Sequence, residues 1–201
     1  YIKARMAESE AQVFVITSEM FADSTAAQLA ELLAGDEPFE TKIISYFRRQ
    51  ERYLESKYKQ KMKTGKVGPG FDNYLARFGT GAGNYKIMVE AWQAAFPDAD
   101  FIFRRFEPAR FPKGDVVRDF MSLLGLDIDA DGQLPLEEEA NPTPHIDLLD
   151  LMQLVARMPD VDARGVFRKM PVNDLPRFRG RAMSNAAAKE ILAQFEVDNE
   201  A

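Results

Sequence analysis

A mixed α/β fold built on a parallel sheet is the class this sequence predicts, and three observations lead there. Gln12-Val-Phe-Val-Ile-Thr17 is an unbroken apolar run enriched in β-branched residues, the pattern of a strand buried on both faces. Phe39–Phe47 and Asp100–Phe106 give two further strands. Segments with helical periodicity lie between and after them as far as Leu124, and strands alternating with helices imply parallel pairing through helical crossovers.

The elements follow in order. Tyr1–Glu10 reads as the second half of an amphipathic helix. Because the chain opens on Tyr1 and not on methionine, an upstream portion is expected. Thr17-Ser18-Glu19 forms the loop at the end of the first strand. Ser24 caps a helix that runs to about Ala34 and stops at Gly35. After the second strand, Gln50 to about Lys63 is a helix that ends near Gly65. Its Leu54, Tyr58 and Met62 recur at a four-residue step, which aligns them on one stripe and leaves the lysines elsewhere.

A Gly/Pro-rich loop over Gly65–Gly70 precedes a short helix at Phe71–Phe78, and a glycine-rich turn precedes another at Asn84–Ala95. Asp115–Leu124 is helical. Residues 127–144 form an acidic, proline-containing linker, and helices are expected near His145–Met158, Ala163–Met170 and Asn185–Phe195. The whole of 1–201 reads as one domain, with an α/β part over 1–126 and a helical part over 145–201.

Bulk properties narrow the function classes. The chain has 201 residues, 46% of them hydrophobic, enough for a single core. Its net charge of −6 argues against a dedicated nucleic-acid binder, which carries a basic face. There is no cysteine, so disulfides, thiolate metal sites and cysteine nucleophiles are excluded. No apolar run approaches the roughly 18 residues of a membrane span and no signal-peptide pattern opens the chain, so a cytoplasmic protein is expected.

Against this acidic background one stretch runs the other way. From Arg48 to Lys66 the cations are Arg48, Arg49, Arg52, Lys57, Lys59, Lys61, Lys63 and Lys66, opposed by Glu51 and Glu55. A local positive field in an acidic chain suggests a specific anionic ligand. An arginine leaving a strand (Arg48) and a hydroxyl inside the next helix (Ser56) can converge on one phosphate or sulfate, the guanidinium as a fork and the serine as a neutral donor. The plainer reading is a solvated, lysine-rich helix face. Glu19 stands at a strand end, where open parallel sheets bind ligands, and can serve as general base toward a hydroxyl or simply cap a turn.

Other constellations are weaker. Arg177-Phe-Arg-Gly-Arg181, following Arg164, Arg168 and Lys169, offers Arg179 and Arg181 around a glycine that permits close backbone approach to an anion. A surface loop with scattered charge is the alternative. Asp127–Glu138 matches a calcium-loop pattern, but Asn141-Pro142 would cut short its exit helix, so a turn-rich linker is the favoured reading. His145, the single histidine, follows Pro144 at a helix start and suits packing or capping. Neither a phosphate-binding G-x-x-x-x-G-K-[ST] nor a G-x-G-x-x-G is present.

Taken together, these residues resemble the P-loop sulfotransferase family, especially its bacterial branch acting on carbohydrates or small hydroxyl compounds. Four stretches carry the likeness over about three quarters of the chain. They are Phe14–Phe21 with its Ser-Glu pair; Ile43–Tyr58 with its strand–Arg–helix–Ser order; Tyr85–Pro108 ending Arg-Arg-Phe-Glu-Pro; and Gly114–Gly125 followed by Asn141-Pro-Thr-Pro-His. The second is the most specific.

The resemblance implies a P-loop nucleotide-binding-like fold, a parallel sheet flanked by helices with a helical C-terminal part. It implies 3′-phosphoadenosine 5′-phosphosulfate as donor, Arg48 and Ser56 on its 3′-phosphate, and no required metal. Glu19 falls where cytosolic relatives hold a catalytic histidine. Arg179 and Arg181 fall in a basic loop that closes over the nucleotide, although the sequence there departs from the family pattern. The acceptor implied is a hydroxyl of a saccharide or small metabolite. The family's glycine- and lysine-containing loop between the first strand and first helix has no counterpart here, so the N-terminal strand–loop element is read as missing. Two alternatives stay open: another P-loop transferase such as a small-molecule kinase, and a non-catalytic nucleotide- or glycan-binding domain.

Overall fold

In the computed structural model, the residues described are 2–18, 21, 25–34, 40–63, 66–68, 70–126, 151, 154–155, 158, 162 and 182–196. The chain divides into two compact units, Tyr1–Tyr46 with Asn84–Arg104, and Phe47–Gly83 with Arg105–Ala201. The fold is mixed α/β, and its sheet among the described residues has two strands, β1 (Lys42–Phe47) and β2 (Asp100–Arg105). Asp100 N–H donates to the Thr41 carbonyl at 2.9 Å and Phe106 N–H to the Phe47 carbonyl at 2.7 Å. The two bonds advance together along both segments, so the strands are parallel, as the alternation of elements implied.

In the first unit α1 (Ile2–Ala7) and α2 (Ala26–Leu33) precede β1, and α2 packs on α5 (Tyr85–Ala95). Asn84 starts α5 by accepting the Ile87 N–H at 3.4 Å, a long cap bond. Trp92 faces inward from α5, stacked on Phe96 with centroids 5.7 Å apart and met edge-on by Phe21 at 6.0 Å.

The second unit is organised by α3 (Gln50–Lys63). Leu54, Tyr58 and Met62 are buried to 2% exposure or less, confirming the four-residue stripe. They pack with Val67, with Phe71 and Tyr74 of α4 (Phe71–Phe78), and with Met183, Ala188, Ile191 and Phe195 in and around α7 (Asn185–Gln194). Burying each large apolar side chain here stabilises the unit by about 1.5–3 kcal/mol relative to exposure. Tyr58 also accepts the Gly70 N–H at 2.9 Å through its hydroxyl oxygen. Gly70 takes φ +97° at the start of α4, a region in which an L side chain is strained.

A second glycine is fixed by space. A Cβ at Gly83, in the 3-10 turn Gly81–Gly83, would stand 3.1 Å from the Phe195 ring. α7 is capped by Ser184, whose Oγ accepts the Ala187 N–H at 3.1 Å, and α6 (Val116–Leu123) by Asp115, which accepts the Val117 N–H at 2.7 Å.

Three local expectations are corrected. Residues 12–18 form no strand, and Val13 and Val15 are 62% and 51% exposed. β-structure is held by ladder bonds to a neighbour, and apolar content alone cannot provide one. β1 begins at Lys42, not Phe39, which itself lies outside the described residues. The α2 cap position is Thr25, whose side chain makes no cap hydrogen bond, whereas Ser24 was expected there.

Leu54→Ala should destabilise the second unit by about 2–5 kcal/mol through lost transfer energy and a residual cavity. Urea denaturation followed by far-UV circular dichroism measures it; a cost under about 1 kcal/mol would show that the stripe is not the centre of that core.

Candidate anion-binding site

β1 delivers Arg48 and Arg49 at its carboxyl end, and both are exposed. The Arg49 carbonyl accepts the N–H groups of Arg52 and Tyr53 at 2.9 and 3.0 Å, so α3 winds directly off these two residues. The Arg48 guanidinium carbon lies 4.2 Å from the centroid of the Phe106 ring. Phe106 follows β2 and is braced edge-on by Phe111, with centroids 5.6 Å apart, and Phe111 is 6% exposed. Since the strands are parallel, Arg48 and Phe106 leave the sheet at the same end. A guanidinium over a ring face is worth about 0.5–1 kcal/mol at an exposed site.

Ser56 is exposed. It lies two positions beyond Leu54, about 200° around α3 and therefore on the face opposite the core stripe. From the helix start at Gln50 it is about 9 Å along the axis. The two residues assigned to the anion thus sit on the surface of the same unit, one at the strand end and one on the outward face of the following helix.

The structure revises the charge reading of this stretch. Glu51 and Glu55, which the sequence presents as minor counterweights, are 1% and 3% exposed. Arg49 pairs with Glu51 at 3.2 Å, and Lys59 and Arg52 approach Glu55 at 3.0 and 3.9 Å. Glu55 Oε1 also accepts the Ala182 N–H at 2.6 Å, tying α3 to the segment that leads into α7. Much of the positive charge on that side of α3 is therefore spent on internal carboxylates.

On its other flank, Lys57 Nζ lies 5.3 Å from the centroid of the Tyr53 ring. On α4, Phe78 carries Lys61 at 4.2 Å and Arg77 at 5.2 Å. Nearby, burial first and the neighbouring Tyr53 phenol second raise the Tyr74 phenol above its ordinary value.

Sequence reasoning missed Phe106 as part of this region and read Glu55 only as a counter-charge, not as a buried anchor for Ala182. Glu55 had a local signal, lying four residues before Lys59 and three after Arg52. Phe106 had none, because its partner is remote in sequence. Glu19, Arg179 and Arg181 lie outside the described residues, as do Asp127–Glu138, His145, Arg164, Arg168, Lys169 and Arg177. Among the described residues no three His, Asp or Glu side chains gather as a metal-ligand set. No helix among them is long and apolar enough to cross a membrane.

Comparison with known proteins adds one relative. An uncharacterized protein of Archaeoglobus fulgidus is 35% identical over 103 residues, which is 51% of this chain and 27% of that protein. The chain thus matches about a quarter of that relative's length. No family model matches the chain, and no solved structure does.

Glu55→Ala should cost about 1–3 kcal/mol, because the Ala182 N–H loses its acceptor in a partly buried setting. Glu55→Gln keeps a carbonyl oxygen at that place and should cost less. Urea titration together with amide exchange at Ala182 reads both effects; equal loss in the two variants would show that the carboxylate charge, not the hydrogen bond, anchors the segment.

Proposed function

We propose that the carboxyl end of β1 and the outward face of α3 grip the 3′-phosphate of a sulfuryl donor, 3′-phosphoadenosine 5′-phosphosulfate, on a P-loop nucleotide-binding-like fold. The observation that carries this reading is the exposed Arg48 guanidinium, stacked on Phe106 where two parallel strands end. Ligands of open parallel sheets sit beyond the carboxyl ends of the strands. The planar guanidinium fork of an arginine suits a phosphate bidentately. Ser56 adds a neutral donor from the outward face of the helix that the strand runs into.

In this reading an acceptor hydroxyl, from a saccharide or small hydroxylated metabolite, attacks the donor's sulfur. The bond between sulfur and the bridging phosphate oxygen breaks, and 3′-phosphoadenosine 5′-phosphate leaves. Glu19 takes the hydroxyl proton, and Arg179 and Arg181 belong to the loop over the nucleotide. The transfer relies on positioning and charge complementarity, as phosphoryl transfer does, and the reading includes no metal. A protein working on such soluble metabolites is assigned to the cytoplasm, without nucleic acid as partner.

Calorimetry with 3′-phosphoadenosine 5′-phosphate against 5′-AMP tests the reading. The first should bind at least tenfold more tightly, and Arg48→Ala should remove most of that preference, since a charge-assisted hydrogen bond is worth about 1.5–3 kcal/mol. Equal affinity of the unmodified protein for the two nucleotides would refute the assignment. Phe106→Leu keeps apolar bulk but removes the ring under the guanidinium; it should lower the same preference roughly two- to fivefold with the melting temperature little changed. Preference intact in that variant would separate Phe106 from the anion grip without touching Arg48.

A further inference from the structure

Main-chain hydrogen bonding lapses along one short run of the first unit. Past α1, the Glu8 N–H donates to the Ala4 carbonyl at 3.1 Å and the Ser9 N–H to the Met6 carbonyl at 3.2 Å. The Ala11 N–H then donates to the Ser9 Oγ at 3.2 Å. The next bond runs from the Phe21 N–H to the Ser18 carbonyl at 3.4 Å. From Val13 to Thr17 no main-chain N–H or carbonyl is hydrogen-bonded among the described residues. Exposure alternates along this run. Val13, Val15 and Thr17 are exposed, Phe14 and Ile16 are half-buried, and Glu8–Gln12 ahead of them are exposed throughout. A two-residue alternation marks an extended chain. Val13, Val15, Ile16 and Thr17 are β-branched and favour that conformation. The run therefore has the conformation and composition of a strand but no ladder.

We infer that Val13–Thr17 is a native-state cleavage site for an endopeptidase with an apolar pocket. Such enzymes take their substrate as an added strand. Unused N–H and carbonyl groups supply affinity, and alternate side chains supply specificity. A segment inside a helix or a ladder must open before it can be held this way, and its cleavage then follows the small open population. Here no main-chain bond has to break first. The class of enzyme follows from the side chains. No Lys or Arg stands between Arg5 and Lys42, so a trypsin-like pocket finds nothing to hold. The outward Val13 and Val15 fit an apolar pocket on the amine side of the scissile bond, which places the cut at Gln12–Val13 or Phe14–Val15. Water adds across that bond. Its oxygen joins the acyl carbon and leaves a carboxylate on Gln12 or Phe14, the C–N bond breaks, and the valine keeps its nitrogen as a new amino terminus. The cut frees α1 with Glu8 and Glu10, and leaves the Phe21, Trp92 and Phe96 packing on the larger product. Neither Arg48 nor Ser56 takes part, so the inference is independent of the nucleotide reading.

The test is limited digestion of the full chain with thermolysin, which cuts on the amine side of apolar residues, with products assigned by mass spectrometry and amino-terminal sequencing. Ile43 and Ile44 of β1 are the internal reference, because apolar β-branched residues stand there inside a ladder. Cleavage before Val13 or Val15 should run about fiftyfold or more faster than cleavage before Ile43 or Ile44, since only the latter waits on opening. Val13→Asp with Val15→Asp should slow the faster cut about tenfold or more by emptying the pocket of its apolar side chain. Both valines are exposed, so circular dichroism of that variant should match the unmodified chain. The comparison with β1 needs no variant and decides the matter even where the double variant does not fold. No cut between Gln12 and Thr17, or a rate there equal to that in β1, would overturn the inference. Cleavage of the folded double variant before Phe14 or Ile16 at the unmodified rate would also overturn it, because the outward valines would then determine nothing.

Discussion

The rotation of α3 about its own axis is the constraint on which the second unit rests. Leu54, Tyr58 and Met62 have to face Phe71, Tyr74 and the α7 residues Ala188 and Ile191, and nothing else on the helix is apolar enough to compete for that position. With those three fixed, the 100° step of the helix determines where every other side chain stands. Ser56 is thrown to the outside, Glu51 and Glu55 come to the rim of the core, and the lysines divide between two flanks. The charge pattern of the surface is therefore a consequence of packing. A helix rotated by one residue would bury lysines and expose Leu54, at a cost of several kcal/mol from each displaced charge.

Burial of Glu51 and Glu55 has an energetic meaning that the surrounding charges explain. A carboxylate with almost no exposure is tolerated only when partners replace its water. Glu55 has Lys59, Arg52 and the Ala182 amide. Glu51 has Arg49, itself at the start of the helix. These contacts also bind distant parts of the chain, since the Ala182 bond closes a loop of 127 residues. The entropy of closing so long a loop rises only with the logarithm of its length, so one short charge-assisted bond backed by the core contacts of Met183 and Ile191 is a proportionate closure.

Helices with local start and stop signals were legible in the sequence. Gln50–Lys63 and Phe71–Phe78 have the bounds expected, whereas Asn84 and Asp115, read as the first residues of their helices, stand one position outside as caps. Parallel pairing of β1 and β2 was also legible, through the helices between them. The Gln12–Thr17 run was not, because strand formation is a property of two segments and a single apolar stretch says nothing about its neighbour. The surroundings of the candidate site were legible to the same extent. Arg48 and Ser56 could be read as exposed residues on a strand end and a helix, but the ring beneath Arg48 arrives from Phe106, across the whole crossover. The weight of Glu55 comes likewise from Ala182. Contacts of that range leave no periodic trace in a sequence.

In the proposed reading, the Arg48–Phe106 contact is what would separate an anion grip from a merely basic surface. Lysines on a solvated face attract anions in general, and each such contact contributes little once salt screens it. An arginine held over a braced ring differs in two respects. Its planar group is weakly hydrated and gives up little on stacking, and its side chain, which otherwise loses up to about 2 kcal/mol of rotamer freedom when fixed, is already partly fixed before any ligand arrives. Because Phe111 holds Phe106 edge-on from a buried position, the Arg48 contact is tied to the packed interior of the same unit. A lysine at position 48 would keep the charge but lose both the plane and the fork, so the geometry favours arginine for a reason that net charge alone does not supply.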